Sequence, residues 1–271
     1  MRKIKIPKKT KGEFRTIYKP SKTEKQALKD IFPQILIKAL SICNLDVCQG
    51  FFPNTSPVTN ALCHVGYKYT TMFDLKDFFD SITVNQLRNL TKDELDLVLV
   101  DGSPRQGLPT SPIIANLAAS TLDSYILWFI DYRKFDCKYT RYADDLCFSY
   151  NDKELTETFL KAIPWIAKSH FFEVNPKKTR TMSASNGRRI ITGIAVDDFG
   201  IHPTRRTKRK MRAALHNGNK NKYEGLKEWC KLKKPNYLSK IELENFKQEF
   251  SSLLNEWGES NNELLCLQPF S

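Results

Sequence analysis

The chain has 271 residues, of which 41% are hydrophobic, and its formal net charge at pH 7 is +13. This length and apolar content suit one large domain, or a few small subdomains around a shared core, and they exclude a mostly disordered chain. The strongly basic balance favours a polyanionic partner.

The positive charge is concentrated in two blocks. Residues 1–25 hold ten Lys or Arg residues against two acidic ones, and residues 177–212 hold eleven against two. Two such blocks on one folded core indicate a nucleic acid that lies against both. Solvated faces of a soluble protein are the alternative.

The cysteines and the N-terminus bear on the location of the protein. The seven cysteines include no CxxC pair, which indicates reduced thiols rather than a disulfide framework or a zinc site. The segment "MRKIKIPKKTKGEFR" is basic but lacks the apolar stretch of a signal peptide. No run approaches about 18 uninterrupted apolar residues. We therefore expect a cytoplasmic protein that does not enter a membrane.

The first half of the chain predicts short strands and helices. Strands around "GEFRTIYKP" precede a helix over residues 21–42, which Ser21 can cap. Residues 50–64 are mainly loop, and "YKYTTMF" then predicts a strand that runs into the helix "DLKDFFDSI". Another helix is predicted over residues 111–130, with Ser111 as its cap.

The second half predicts a hairpin, a helix, a strand and further helices. "KYTRYADDLCFSY" predicts two strands joined by a tight turn at Ala143–Asp145. Residues 153–172 predict a helix and "RRIITGIAV" a single strand. Residues 203–216 and 221–257 are charged and predict helices. The element order predicts an α+β fold with a helical C-terminal third.

Three aspartates form a candidate metal site. Asp74 ends one predicted strand, and Asp144 and Asp145 lie at the tip of the hairpin. If these strands are neighbours, the carboxylates converge, and their repulsion raises at least one pKa unless cations neutralise them. Oxygen ligands fit two Mg²⁺ ions, with Mn²⁺ as a substitute, better than zinc. Beside basic surfaces, such a site indicates nucleotidyl transfer, whereas an exposed turn that tolerates charge is the alternative.

Five segments occur in an order that resembles the motifs of reverse transcriptases. They are "FDLKDFFDSI", "RQGLPTSPIIANLA", "TRYADDLCFS", "NPKKTR" and "ITGIAV", and the resemblance covers roughly residues 10–215. It implies a right-hand polymerase with an antiparallel palm sheet. The fingers would comprise residues 1–70 with part of 95–115, the palm residues 71–200, and a small helical thumb residues 201–271.

Within that family the chain most resembles bacterial retron reverse transcriptases. "TNALCH" is similar to their NAxxH stretch, "ITG" to their VTG stretch, and "RRTKRKMRAALHNGN" to the start of their thumb. The resemblance implies that dNTPs are polymerised into a DNA copy of a cognate structured non-coding RNA, in anti-phage defence beside an effector protein. The alternatives are a defence enzyme that makes repetitive or untemplated DNA and an RNA-binding scaffold without polymerase activity.

The resemblance also implies roles for residues at the metal site. Lys178 in "NPKKTR" would neutralise or protonate the leaving pyrophosphate, with Lys177 as its rival. The residues expected to bind the metal ions are Asp74, Asp144 and Asp145 through their carboxylates and Leu75 through its carbonyl.

A second group of residues would bind the incoming nucleotide. Phe79 would clash with a ribonucleotide's 2′-hydroxyl, although a core position for both Phe78 and Phe79 is the alternative. Glycine has no Cβ, so backbone at Gly107 could approach a nucleotide closely. The fork of an arginine suits a triphosphate. The expected nucleotide-binding residues are Arg15, Lys19, Phe79, Gln106 and Gly107.

A third group would contact RNA or DNA. Basic side chains on the helix after residue 203 would follow backbone phosphates, which sets affinity and salt dependence rather than sequence preference. For Asn60 and His64, structural roles in a loop and in the core are the alternative. The expected nucleic-acid-binding residues are Asn60, His64, Gly193, Arg205, Arg206, Lys208, Arg209, Lys210 and Arg212.

Overall fold

The computed structural model describes residues 1–7, 12 and 14–234. In this part of the chain the strands are β1 (Arg2–Pro7), β2 (Phe14–Lys19), β3 (Tyr69–Asp74), β4 (Cys137–Tyr142), β5 (Asp145–Tyr150), β6 (Arg180–Ser183), β7 (Arg189–Ile191), β8 (Ile194–Val196) and β9 (Ile201–Pro203). The α-helices are α1 (Lys22–Ile42), α2 (Pro57–Leu62), α3 (Phe78–Ser81), α4 (Lys92–Val98), α5 (Ser111–Tyr132), α6 (Leu155–Ser169), α7 (Arg205–His216) and α8 (Lys220–Trp229).

The strands form three antiparallel sheets. The central sheet has the order β4-β5-β3-β6, so the two strands carrying the candidate aspartates are neighbours, which is the condition for their carboxylates to converge. β1 and β2 form a separate hairpin, and β7, β8 and β9 form a small sheet. The predicted α+β class with an antiparallel central sheet is confirmed.

The central sheet is covered on both faces, and β3 and β5 are buried along almost their whole length. On one face Phe148 stacks on Phe159 of α6, with ring centroids 4.9 Å apart. On the other face Met72 and Cys147 pack with residues of α2 and of the small sheet. Burial on both faces holds the ends of β3 and β5 in a fixed register.

The N-terminal caps of α1 and α5 can be compared with the predicted caps. α1 begins after Ser21, whose side chain accepts a hydrogen bond from the Glu24 N–H in a capping box, as predicted. α5 begins at Ser111 itself, so Thr110 precedes the helix and the prediction of Ser111 as the cap was wrong. Pro lies in the first turn of α5, where its missing N–H costs nothing.

The segment "RRIITGIAV" is two strands rather than the single strand predicted. β7 and β8 pair through Ile191 and Ile194, and the two residues between them turn the chain. Thr192 and Gly193 have φ angles of 45° and 80°, the left-handed pair that a tight hairpin requires. Gly is suited to this conformation, whereas Thr is not, which hid the turn.

Two sets of contacts cross the expected boundaries of the subdomains. α2 packs on the small sheet and on the central sheet, although it precedes residue 71. β9 pairs with β8, so the first helix of the expected thumb is α7, at Arg205. The expected thumb residues 235–271 lie outside the described residues.

α5 is buried although its composition resembles that of a membrane span. Within the described residues it is the helix that is long and apolar enough to cross a membrane, and 67% of its apolar window is buried inside the protein. It packs against α1, α6 and β4, and its buried side chains include Asp123. These contacts fit a core helix of this fold.

Candidate active site

The register of the central sheet brings the three candidate carboxylates to one end. Asp74, the last residue of β3, lies opposite Asp145, the first residue of β5. Side chains directly opposite in an antiparallel pair share a face of the sheet. Asp144 precedes Asp145 in the turn, and its carbonyl accepts a hydrogen bond of 2.8 Å from the N–H of Leu75. This bond ties the hairpin turn to the end of β3.

The turn between β4 and β5 has a constrained backbone. Tyr142 and Asp145 pair across it, leaving Ala143 and Asp144 as the turn residues. Ala143 has a φ of 56°, in the left-handed region that non-glycine residues rarely adopt. The segment that presents Asp144 is therefore held in a costly conformation by its surroundings.

Burial and mutual repulsion disfavour the ionised carboxylates. Burial raises the pKa of Asp145 to about 7, and the charges of Asp144 and Asp74 act in the same direction. Burial also raises the pKa of Asp144, with a further contribution from Asp74. The charge of Lys178 opposes both shifts. A cation bound among these carboxylates would be favoured by the same electrostatics.

Lys178 contacts the site directly. Its ammonium donates hydrogen bonds of 2.9 and 2.8 Å to the two carboxylate oxygens of Asp74, and this contact raises the pKa of Lys178. Its loop is anchored where Asn175 donates a backbone hydrogen bond of 2.8 Å to the Asp74 carbonyl. Lys177, its rival in the sequence, is exposed and makes only a local backbone contact with the Asn175 side chain.

The donor set suits a hard divalent cation, although it is not a closed cage. No group of three or more His, Cys, Asp or Glu side chains in the described ranges is gathered as a metal cluster. The Asp74 carboxylate is engaged by the Lys178 ammonium, with which a cation would compete. Three carboxylates on one sheet edge, two with raised pKa values, fit Mg²⁺ by charge and ligand type.

The residues expected to bind a triphosphate lie on β2. Arg15 and Lys19 are exposed, and the alternation of a strand puts both on one face. The charge of Arg15 lowers the pKa of Asp144, so the guanidinium lies within electrostatic reach of the carboxylates.

Gly107 makes a close contact with β2 that requires a glycine at this position. A Cβ at Gly107 would lie 2.4 Å from the Tyr18 carbonyl oxygen, and the φ of Gly107 is 104°. The N–H of Tyr18 donates a hydrogen bond of 2.8 Å to the Gln106 carbonyl. Gly107 therefore lets the "RQG" loop and β2 approach each other closely.

Phe78 and Phe79 occupy different environments. Phe78 is buried and its ring centroid lies 5.6 Å from that of Phe172. Phe79 is half-buried and lies 6.4 Å from Phe51, whose own ring is exposed. Only Phe78 is a core residue, so the ring of Phe79 is the one that a nucleotide could meet.

Asn60 and His64 are internal, which does not fit the expected contact with RNA. Both side chains have 0% exposure. His64 Nε2 lies 2.7 Å from the Thr140 hydroxyl, which donates a hydrogen bond of 2.6 Å to the Asn60 side-chain oxygen. Burial lowers the pKa of His64 to about 3, so the ring is neutral at pH 7. These two residues join α2 to β4.

Four of the basic residues expected on nucleic acid, Arg205, Arg206, Lys208 and Lys210, line one groove together with Gly193. It has a volume of about 990 Å³ and lies between the β7–β8 turn, where Gly193 is exposed, and the start of α7. Arg180 and Arg188 also line it, and the excess of basic residues over 177–212 was the signal for them. The expected α7 residues Arg205, Arg206, Lys208, Arg209, Lys210 and Arg212 are all exposed.

Known proteins resemble the chain in sequence and in fold. The family described as "Reverse transcriptase (RNA-dependent DNA polymerase)" matches residues 6–239. The chain belongs to the reverse transcriptase family. It is 32% identical to the Retron Ec73 reverse transcriptase of Escherichia coli over 89% of this chain and 85% of that protein.

Its relationship to retron enzymes extends to a second species. It is 32% identical to the Retron Mx65 reverse transcriptase of Myxococcus xanthus over 78% of this chain, although the chain spans only about half of that protein (54%). The predicted likeness to retron-type reverse transcriptases is confirmed. In structure, it matches apo telomerase from Candida tropicalis with a TM-score of 0.53 over 75% of this chain and 54% of that one, at 16% identity. This likeness confirms the polymerase fold alone.

Proposed function

We propose that this protein is an RNA-directed DNA polymerase that copies a cognate structured non-coding RNA into DNA. The observation that carries the proposal is the register of Asp74 opposite Asp145, with Asp144 in the adjoining turn, in a chain of the reverse transcriptase family. The product would be a cDNA, the substrates dNTPs, and the location the cytoplasm.

The three aspartates would hold two Mg²⁺ ions, with Mn²⁺ as a substitute, and the Leu75 carbonyl would be a further ligand. When bound, such ions supply Lewis-acid activation of the attacking 3′-hydroxyl and stabilise the departing pyrophosphate. The ammonium of Lys178, which lies against Asp74, supports a second role for this residue: it would give positive charge or a proton to the leaving group.

The surrounding residues would bind the nucleotide and the nucleic acid. Arg15 and Lys19 would contact the triphosphate, Gln106 would contact the base pair being formed, and Phe79 would exclude a 2′-hydroxyl. Gly193 and the basic face of α7 would follow the backbone of the template–product duplex. This assignment is supported by the exposed cations that line the groove beside the central sheet.

The subdomains follow from the same arrangement. The fingers would comprise β1, β2, α1 and the loop containing Gln106. The palm would comprise the central sheet with α2, α5, α6 and the small sheet, and the thumb would begin at α7. From the retron relationship we also infer a role in phage defence with an effector protein, which a plaque assay with and without the intact carboxylates would test.

The proposal is tested by the nucleic acid that purifies with the protein. The chain would be expressed with its native flanking DNA, beside an Asp144→Ala/Asp145→Ala double variant, and the bound nucleic acid sequenced after RNase and DNase treatment. We expect a discrete DNA complementary to a structured RNA, absent from the variant. RNA alone in both samples would indicate a binding scaffold, and DNA without a matching template would indicate untemplated synthesis.

A further inference from the structure

A fully buried ion pair lies directly behind the turn that carries Asp144. Arg141 in β4 has 0% exposure, and it pairs with Asp123 of α5, whose side chain is 2% exposed. The guanidinium donates a hydrogen bond of 2.6 Å from Nη2 and a second of 2.9 Å from Nε to the two carboxylate oxygens. The Tyr139 hydroxyl donates a further bond of 2.7 Å to Asp123. The guanidinium and the carboxylate therefore form a bidentate, hydrogen-bonded ion pair.

The remaining guanidinium donor connects this pair to the turn. Arg141 Nη1 donates hydrogen bonds of 2.9 Å to the Asn116 side-chain oxygen and 3.3 Å to the carbonyl of Ala143. Asn116 in turn donates a bond of 2.8 Å to the Gly50 carbonyl. A Cβ at Gly50 would lie 3.2 Å from the Ala143 nitrogen, so the loop of residues 47–50 packs closely on the turn.

The backbone of Arg141 is held by the same loop. Its N–H donates a bond of 2.8 Å to the Val47 carbonyl, and its carbonyl accepts one of 2.8 Å from Gln49. Arg141 is thus fixed on both sides of its chain, two residues before the left-handed Ala143. Its side chain and its main chain both act on the position of the turn.

Stability alone does not account for this cluster. Burial lowers the pKa of the Arg141 guanidinium, but the charge of Asp123 and the other contacts of the guanidinium together raise it by more, so the net shift is upward and Arg141 stays charged. Desolvating two ions costs much of what their attraction returns, and apolar residues of similar volume often serve a core equally well. A bidentate pair does supply a fixed geometry, which is what ligands of a metal ion require.

We propose that Arg141, oriented by Asp123 and Asn116, is a positioning residue that sets the affinity of Asp144 and Asp145 for a divalent cation. The inference rests on the proposed function only for the identity of the carboxylates as ligands. Arg141 touches neither substrate nor cation, and it acts through the Ala143 carbonyl and the backbone of β4.

The test compares Arg141→Lys with Arg189→Lys. Arg189 is the other large buried arginine of the described residues, and it donates a 3.0 Å bond to Thr70 rather than to the turn. Lysine keeps the charge but loses the planar fork. The measurements are Mn²⁺ binding by electron paramagnetic resonance without nucleotide, thermal unfolding, and dNTP incorporation as a function of Mg²⁺.

We expect Arg141→Lys to weaken Mn²⁺ binding by roughly 10-fold or more, the usual effect of losing an outer-shell partner of a metal ligand. The Mg²⁺ concentration for half-maximal incorporation should rise by a similar factor, while the KM for dNTP at saturating Mg²⁺ stays within about two-fold of the wild-type value. Arg189→Lys should lower the unfolding temperature and leave Mn²⁺ binding unchanged.

The inference is overturned if folded Arg141→Lys binds Mn²⁺ like the wild type, or if both variants weaken binding equally. If Arg141→Lys does not fold, Asn116→Ala replaces it, since this change removes one partner of Nη1 and leaves the ion pair; unchanged Mn²⁺ binding there would also overturn the inference. If the wild type binds Mn²⁺ but incorporates no dNTP, the proposed function fails while the positioning role is still measured.

Discussion

Two groups of buried charged side chains meet at the β4–β5 hairpin, and they differ in whether their charges are paired. At its tip, the carboxylate face (Asp74, Asp144 and Asp145) combines burial with like charges, and the pKa of Asp145 rises to about 7. Behind the tip, the buried clamp (Arg141, Asp123 and Asn116) pairs every charge at hydrogen-bond distance. Buried carboxylates that repel one another, beside an ion pair whose charges are fully paired, are typical of a functional site.

Neutralising one aspartate of the carboxylate face tests its role in the reaction. Asp144→Asn should reduce dNTP incorporation by roughly 10³-fold or more, because a metal ligand supports several kcal/mol of transition-state stabilisation. Its unfolding temperature should stay level or rise, because like-charge repulsion is removed. The exposed Asp96→Asn is the matched control and should change neither quantity. Full activity in Asp144→Asn would contradict the role of this face.

The clamp should respond in the opposite manner, through stability. Asp123→Ala leaves the guanidinium of Arg141 buried and unpaired, and we expect the free energy of unfolding in urea to fall by about 3–5 kcal/mol. The apolar pair Asp123→Leu/Arg141→Met should recover at least half of that loss while Mn²⁺ binding stays weak. If the double variant also recovers Mn²⁺ binding, the clamp contributes only to folding.

Phe79 tests the nucleotide side of the carboxylate face. Phe79→Ala should lower the preference for dNTPs over ribonucleotides by about 10-fold or more, because the ring no longer meets the 2′-hydroxyl. Competition between the two substrates in one extension reaction measures the ratio. Phe78→Leu is the control, because Phe78 is buried, and it should change stability rather than sugar selectivity. Unchanged selectivity in Phe79→Ala would remove the assignment.

His64 belongs to a buried hydrogen-bond network with Thr140 and Asn60 that carries no charge at pH 7. Its pKa is lowered from 6.5 to about 3 in the folded state. The unfolded state therefore binds the proton first, so the stability contribution is complete above pH 6.5 and is lost as pH falls towards 3. Between pH 7 and pH 5 the free energy of unfolding should drop by about 2 kcal/mol more in the wild type than in His64→Gln. Parallel pH profiles would contradict this account.

The smallest expected effect concerns a close contact outside both regions. Gly107→Ala should destabilise the protein by about 1–3 kcal/mol, because a positive φ and a clash with β2 act together. Gly102 has a φ of 73° and open space around its Cβ position, so Gly102→Ala isolates the cost of the φ angle alone. Equal losses of stability in the two variants would mean that β2 moves freely away from the "RQG" loop.

The sequence predicted the carboxylate face better than what surrounds it. Turn residues between two β-rich runs indicated the hairpin. The position of Asp74 at the end of another predicted strand made it a candidate to meet the hairpin's aspartates. The clamp was missed because Asp123 and Asn116 lie 18 and 25 residues before Arg141 in the chain, and no local pattern links them to it. The choice between a structural and an RNA-binding His64 stayed open for the same reason, because its partner Thr140 lies 76 residues away. Hydrophobic periodicity predicts local secondary structure and does not indicate which buried polar groups pair over long distances in the chain.

RNA-directed synthesis is tested by supplying the purified protein with two RNA templates of different sequence, dNTPs and Mg²⁺, and by sequencing the DNA formed. If the carboxylate face catalyses RNA-directed synthesis, each product will be the complement of its template, and Asp144→Asn will form neither. DNA of the same sequence from both templates, or equal synthesis without RNA, would contradict the claim.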